Sequence, residues 1–295
     1  MRALLRWYSD MGIDTVTGDE PAGFSDGQAV EGDNARGQKR DRAQQSPNRT
    51  PSHAGQMQGS GQVSGQGSGQ SLPKAAATRP NTGVLRPQAD MLSADEAVSL
   101  AKELAAKAQD LKGLEAALRG FEGCPLKKGA RNTVFADGTP GAPLLVMGEA
   151  PGRDEDREGV PFIGKAGLLL DKMLGAIGHD RTKNAYISNV IYWRPPGNRT
   201  PTDEEMMMCH PFAERLIELA QPKVILIAGA APLKALLHKS GIMKSRGKWH
   251  TLRCANGTNY DVMPTFHPAY LLRNPQAKRQ VWQDLQAVRE KLREN

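Results

Sequence analysis

The stretch PLLVMGEAPGRDEDREGVPFIGKAGLLLDKMLGAI, residues 143–177, decides the fold class of this chain. Its apolar run at 143–147 is typical of a buried strand, a polar Gly-rich loop follows, and residues 166–177 have helical periodicity. Further apolar runs at 185–191 and 223–228 precede helical stretches at 203–220 and 231–237. This alternation predicts an α/β fold, a parallel sheet with helices on both faces.

The segments on either side of this core complete the predicted element order. Ser93 and Glu96 are spaced as a capping box and open a helical pattern that runs through Leu118. Residues 249–253 and 260–264, separated by turn residues, predict a hairpin that leads to His267. Residues 278–292 predict a closing helix.

Composition divides the 295 residues into two regions. Residues 55–72 read GQMQGSGQVSGQGSGQSL, which offers too little apolar surface to offset the entropy of ordering it. We therefore expect a short amphipathic segment at 1–15, a disordered Gly/Ser/Gln/Pro-rich linker at 16–90 and a folded domain at 91–295. Leu4, Leu5, Trp7 and Tyr8 predict that the first segment docks on the domain or on a partner.

Charge and cysteine content narrow the class of protein. The sequence contains no run of 18 apolar residues, and its charged start does not resemble a signal peptide, so we expect no membrane span and a cytoplasmic location. Three cysteines argue against a disulfide framework. Residues 1–90 carry 10 Lys and Arg against 9 Asp and Glu, so most of the net charge of +7 belongs to the folded part. This excess indicates a polyanionic partner.

Polar residues follow each predicted strand where it ends. The first strand runs into the loop at 148–156, the second ends at Asn189 before a basic loop, and His267 follows the last strand. The carboxyl ends of parallel strands meet at one edge, where ligands bind, so these loops predict one site. Each feature alone has a plainer explanation as a turn, a helix start or a structural histidine. Neither GxGxxG nor GxxxxGK[ST] occurs, which argues against dinucleotide and P-loop sites.

Three strings carry a family resemblance: GEAPGRDEDREGVPFIGKAG, SNVIYWRPPGNRTP and TFHPAYLLRNP. In order and spacing they resemble the signature regions of family 4 uracil-DNA glycosylases, from about Cys124 to the C-terminus. The resemblance implies a three-layer α/β/α sandwich with a short central parallel sheet. It also implies removal of uracil from DNA by hydrolysis of the N-glycosidic bond, in base excision repair.

The resemblance implies a base pocket formed by three side chains. A base must leave the DNA stack before it is cleaved, so its pocket needs a flat apolar face, which Phe162 supplies, and an edge reader. Asn189 pairs with the O4 and N3 edge of uracil, since an amide offers both a donor and an acceptor. His267 donates a hydrogen bond to O2 of the departing uracil anion.

Water activation is assigned by the same resemblance to the loop residues Glu149, Glu155 and Asn198. Ala150, a pocket residue, stands where family 1 enzymes carry an Asp, so another group must activate the water. We expect Glu155 to do so, with the division of labour among the three left open.

DNA contacts are expected from the flanking loops. Arg194, Arg199 and Arg273 are predicted to contact phosphates. Such contacts provide affinity for DNA without recognition of its base sequence. Leu271 and Leu272 either wedge into the space that the flipped base leaves or belong to the core. The expected partner is uracil-containing DNA, bound by a monomer.

The chain departs from family 4 at the metal site. The family typically holds a 4Fe-4S cluster with four cysteines, and this sequence has Cys124 and Cys209 at two of those positions but Phe121 and Trp193 at the others. Two thiols do not make a four-cysteine site. We expect no cofactor, with the volume of the cluster filled by apolar packing.

Two other functions stay open at the level of sequence. One is a glycosylase for other deaminated bases, such as xanthine or hypoxanthine, since small pocket changes shift base choice. The other is a DNA-binding module without turnover.

Overall fold

The computed structural model describes residues 92–294. The predicted amphipathic segment at 1–15 and the predicted linker at 16–90 lie outside the described residues. None of the helices between residues 92 and 294 combines the length and the apolar composition needed to cross a membrane.

The described part begins with two helices, α1 (Ala94–Lys107) and α2 (Leu111–Gly120). The predicted capping box is confirmed, since the Glu96 N–H donates to Ser93 Oγ at 3.3 Å and the Glu96 carboxylate accepts from the Ser93 N–H at 2.8 Å. The helical pattern from Ser93 to Leu118, predicted as continuous, forms two helices. The second begins where Asp110 Oδ1 accepts a hydrogen bond from the Gly113 N–H at 2.7 Å. Both helices pack against one face of the sheet described below.

Six strands form one sheet: β1 (Ala136–Gly138), β2 (Leu144–Gly148), β3 (Ala185–Asn189), β4 (Val224–Ala228), β5 (His250–Arg253) and β6 (Asn259–Thr265). Their order is β1-β3-β2-β4-β6-β5. The four central strands are parallel, β1 pairs antiparallel with β3, and β5 and β6 form the predicted antiparallel hairpin.

The remaining helices are α3 (Arg153–Glu158), α4 (Lys165–Ala176), α5 (Asp203–Ala220), α6 (Ala230–Leu237), α7 (Ile242–Ser245), α8 (Pro268–Arg273) and α9 (Lys278–Glu294). Side chains alternate across β2: Leu145 and Met147 join a core with α1, α2, α5 and α6, whereas Leu144 and Val146 join a core with α4, α8 and α9. Helices therefore cover both faces, and the predicted three-layer α/β/α sandwich is confirmed.

The parallel strands all end at the same edge of the sheet. Gly148 at the end of β2 pairs with Asn189 at the end of β3. Ala228 at the end of β4 likewise pairs with Thr265 at the end of β6. The loops that leave these positions meet in one crevice, as the sequence predicts.

Candidate active site

A cavity of about 440 Å³ opens at the carboxyl edge of the sheet. This volume suits a small ligand held by a few polar groups. Most of the predicted site residues line it: Glu149, Ala150, Glu155, Phe162, Asn189, Asn198, Arg199, His267 and Arg273. Arg194 is not part of the lining.

The floor of the cavity depends on a close approach at Gly148. Asn189 is only 2% exposed and lies beside Gly148 in the sheet register. A Cβ on Gly148 would lie 2.4 Å from Asn189 Oδ1 and 2.4 Å from the Phe162 ring, so only glycine leaves room for both side chains. The Asn189 amide has no hydrogen-bond partner among the other described residues, so it is available to a ligand.

Phe162 forms one wall of the cavity from a backbone conformation that is uncommon for a large side chain, with φ +54°. Its ring stacks on that of His267, with 5.6 Å between centroids and 29° between planes. Its carbonyl accepts a hydrogen bond from Arg181 Nη2 at 2.8 Å, and a Cβ on Gly167 would lie 1.8 Å from the same oxygen. The Phe162 turn is therefore enclosed by Arg181, Gly167 and His267.

Arg181 supports the site from outside the cavity lining, and the sequence gives no sign of this role. Its Nη1 donates to the Pro161 carbonyl at 3.1 Å and to Asp137 at 2.7 Å, while Nε and Nη2 donate to Asp171 at 3.0 and 2.8 Å. The side chain is only 16% exposed. These partners are distant in sequence, so no local motif reveals the contact.

Glu155 is occupied by the backbone of the loop it belongs to. One carboxylate oxygen accepts from the Ile163 and Gly164 N–H groups at 3.1 and 2.9 Å. The other accepts from the Gly152 N–H at 3.1 Å. Both oxygens have backbone partners, so the side chain ties the start of α3 to the turn that precedes α4.

Glu149 differs from Glu155 in its environment. Its carboxyl has no hydrogen-bond partner among the other described residues, and it lines the cavity. Burial raises the pKa of the Glu149 carboxyl above its usual range. A carboxylate of this kind binds protons more readily than an exposed one, which suits a general base.

His267 caps α8 in a way that assigns its tautomer. Its Nδ1 accepts from the Ala269 N–H at 3.1 Å, so the neutral ring carries its proton on Nε2. Burial and, to a smaller extent, the positive charge of Arg273 lower the pKa of His267 to about 4, with Glu155 acting in the opposite direction. The imidazole is therefore a neutral donor at physiological pH.

The arginines of the basic loop are engaged with neighbours. Arg194 Nε donates to Asn198 Oδ1 at 2.7 Å. Arg199 forms a two-bond contact with Glu205, at 2.8 and 2.6 Å, and hydrogen bonding to that carboxylate raises the pKa of Arg199. Arg199 is held in place at the rim, with 43% of its side chain exposed.

Helix α8 separates its two leucines. Leu271 is fully buried in the core beneath the sheet, so the alternative of a wedge is wrong for this residue. Leu272 is 46% exposed and Arg273 lines the cavity, so both remain accessible to a ligand.

A family model described as the uracil DNA glycosylase superfamily matches residues 135–286. This chain belongs to that superfamily. It is 37% identical over 172 residues to a type-4 uracil-DNA glycosylase from Sulfurisphaera tokodaii, a match that covers 57% of this chain and 78% of that protein. It is 39% identical over 151 residues to one from Thermotoga maritima, covering 51% of this chain and 77% of that protein. The resemblance drawn from the three motif strings is confirmed.

In this glycosylase-superfamily domain, aromatic side chains occupy two of the predicted cluster positions. Phe121 and Trp193 are each 1% exposed, and their ring centroids lie 6.4 Å apart. Phe212 packs on Phe121 at 5.3 Å. The hydrogen bond with Cys124, together with burial, raises the pKa of the Cys209 thiol well above its usual range.

The donor set at these positions does not fit a four-cysteine cluster. Cys124 and Cys209 are the only two thiols there, and the third cysteine, Cys254, belongs to the hairpin region. Residues 92–294 contain no group of three or more His, Cys, Asp or Glu side chains placed to hold a metal ion.

Proposed function

We propose that this protein removes uracil from DNA by hydrolysing its N-glycosidic bond, leaving an abasic site for base excision repair. The observation that carries the proposal is the meeting of Phe162, Asn189 and a neutral His267 in one cavity. Type-4 uracil-DNA glycosylases are among its relatives at 35 to 39% identity.

Base selection rests on Asn189 and Phe162. The Asn189 amide is nearly buried and has no hydrogen-bond partner within the described residues. Such an amide is destabilising until a ligand pairs with both its donor and its acceptor. The O4 and N3–H edge of uracil provides one acceptor and one donor. The Phe162 ring offers the flat face on which the extruded base stacks.

Leaving-group stabilisation rests on His267. As the glycosidic bond breaks, negative charge develops on uracil O2, and the Nε2–H of His267 donates to that oxygen. A neutral donor whose position is fixed by the Ala269 N–H needs no reorganisation during the reaction. Removal of one such donor typically lowers the rate about 10²- to 10³-fold.

We assign water activation to Glu149 and loop positioning to Glu155. The Glu149 carboxyl is unpaired within the described residues and has a raised pKa, whereas both oxygens of Glu155 accept backbone hydrogen bonds. Asn198 lines the same cavity, and its side chain accepts a hydrogen bond from Arg194 Nε at 2.7 Å. Glu149→Gln should then remove most cleavage without changing DNA binding.

A matched control exists for this assignment. Glu158 lies on exposed surface of α3, and Glu158→Gln should leave cleavage unchanged. If Glu149→Gln cleaves normally while Glu155→Gln folds normally and loses cleavage, the roles of the two carboxyls are reversed. Glu149 acts as a base only when ionised, so cleavage should fall as the pH drops through its raised pKa.

DNA binding is proposed to use the exposed rim. Arg199 and Arg273 line the cavity and Arg194 lies beside it, which supports contacts between these arginines and the phosphates of an extruded nucleotide. Leu272 is exposed next to Arg273 and is the residue available to fill the vacated stack. The protein acts as a monomer in the cytoplasm in this proposal.

We further propose that the protein works without an iron–sulfur cluster. The packing of Phe121, Trp193 and Phe212 supplies apolar burial where the family's cluster would lie. Iron content and the visible spectrum of the isolated protein test this directly. Stoichiometric iron with a brown absorbance would overturn it.

The deciding assay incubates the full chain with a uracil-containing oligonucleotide and scores alkali-sensitive abasic sites. We expect cleavage by the parent chain and by His179→Ala, a histidine outside the cavity, and its loss in His267→Ala. A panel with xanthine and hypoxanthine in place of uracil identifies a glycosylase of different base range. DNA binding without abasic sites in well-folded protein would refute the enzymatic function.

A further inference from the structure

A second groove lies between α1, α5 and α6, apart from the proposed active site. It measures about 470 Å³ and its apolar lining comes from Val98, Met206, Met207, Pro211 and Ala235. Met207 is 51% exposed, so its side chain is accessible at the edge of the groove. The superfamily's reaction, as proposed above, uses none of these residues.

The chain that precedes the described part joins the domain at this groove. The described residues begin at Leu92, α1 begins at Ala94, and Val98 in its second turn already lines the groove. Residues 1–91 therefore lead into the helix that forms one of the groove's walls.

Residues 3–8, ALLRWY, carry the densest set of large apolar side chains in residues 1–90. They are predicted to form a short amphipathic segment with Leu4, Leu5, Trp7 and Tyr8 available for burial. Polar, Gly- and Ser-rich residues connect them to α1. For the linker that the composition predicts, about 85 residues give a root-mean-square span of roughly 50 Å, enough to reach any part of a domain of this size.

The groove lining carries charges of both signs, and acidic residues lie just beyond one of its ends. Val98 of α1 shares the groove with Met206 of α5, and the Ala108 carbonyl at the end of α1 accepts from Arg215 further along α5, so the two helices run in the same direction. Their first turns therefore lie at the same end. These turns carry Asp95, Glu96 and Glu204 outside the groove lining and Asp203 within it; Asp203 pairs with Lys234 at 2.6 Å, and Lys102 also lines the groove. The carboxylates beyond the lining are therefore the ones that Arg2 and Arg6 can meet.

We propose that residues 3–8 bind in this groove of their own chain, with Leu4 and Trp7 against Met206 and Met207. Because the segment belongs to the same chain, its effective concentration near the groove is high. Even a weak contact is therefore populated. The contact covers the exposed Met207 and ties the start of the chain to the domain.

The test uses the full chain with the photo-crosslinker p-benzoylphenylalanine in place of Trp7. After irradiation, mass spectrometry should find crosslinks within one chain to residues 94–102 or 203–211. Met207→Lys should lower the yield roughly tenfold or more, because docking then requires desolvation of an ammonium group. Met243→Lys, at a methionine that is 65% exposed and outside the groove, should leave the yield unchanged.

A variant of residues 3–8 controls for effects of Met207→Lys on folding of the domain. Leu4→Ser with Leu5→Ser changes only the segment and should reduce the crosslink as Met207→Lys does. Crosslinks between two chains, crosslinks to other surfaces, no crosslink, or equal loss in both lysine variants would each overturn the proposal. None of these readouts depends on uracil cleavage.

Discussion

Arg181→Met should lower kcat/KM on uracil-containing DNA although Arg181 does not line the cavity. The guanidinium holds the Phe162 turn through two carbonyls, at 2.8 and 3.1 Å, and is itself fixed by Asp137 and Asp171. The left-handed φ of Phe162 costs about 1–2 kcal/mol, so the turn needs this support. Loss of a hydrogen bond to a charged group costs about 1.5–3 kcal/mol, which moves the turn roughly 10- to 150-fold toward an open state.

The assay is single-turnover cleavage together with inhibition by free uracil, since both require the Phe162 wall. We expect both to weaken in parallel in Arg181→Met and to recover in part in Arg181→Lys, which keeps the charge and some donors. Arg215→Met is the matched control: Arg215 is also partly buried and donates to a carbonyl at 2.8 Å and to Glu218 at 2.9 Å, and it is not part of the cavity lining. Equal losses in both variants would mean that general destabilisation, not the turn, explains the effect.

Other predictions concern the cavity itself. His267→Ala should lower cleavage about 10²- to 10³-fold while binding to DNA is retained, and equal loss of both would contradict its role. The pKa of His267 in the folded protein is about 4, below the usual 6.5. Its contribution to the free energy of unfolding is therefore complete above about pH 6.5 and is lost as the pH falls toward 4. The free energies of unfolding of the parent and His267→Ala chains should differ in their pH dependence within that window. Asn189→Asp should weaken uracil cleavage, since a carboxylate cannot donate to O4, and unchanged kinetics would remove Asn189 from the base pocket. Gly148→Ala should abolish uracil inhibition, because the new Cβ meets Asn189 and Phe162 at 2.4 Å; a variant with normal inhibition would refute the close approach.

The position of the two carboxylates shows how a motif assigns residues without assigning their roles. Glu149 and Glu155 lie in one loop, and the sequence favours Glu155 for water activation. The structure gives Glu155 three backbone donors, whereas Glu149 is partly buried and unpaired within the described residues. The chemistry of each carboxyl follows from its hydrogen-bond partners, which the motif does not contain.

The sequence by itself determined the order of elements and the edge where the site lies. Period-2 and period-3.6 patterns report which side of a strand or helix is buried, and they depend only on neighbours along the chain. That is why the helix Asp203–Ala220 was predicted with its observed bounds. Strand β1 was missed, since Ala136–Gly138 is only three residues long and is defined by its antiparallel pairing with β3.

Only the tertiary structure decided which of the loop residues touch. Packing between distant segments brings Arg181 into contact with Phe162 and Asp137. It also pairs Arg199 with Glu205, buries Leu271 in the core and leaves Leu272 on the surface. Local patterns carry no information about such contacts, because their geometry is fixed only when the loops at the carboxyl edge of the sheet come together.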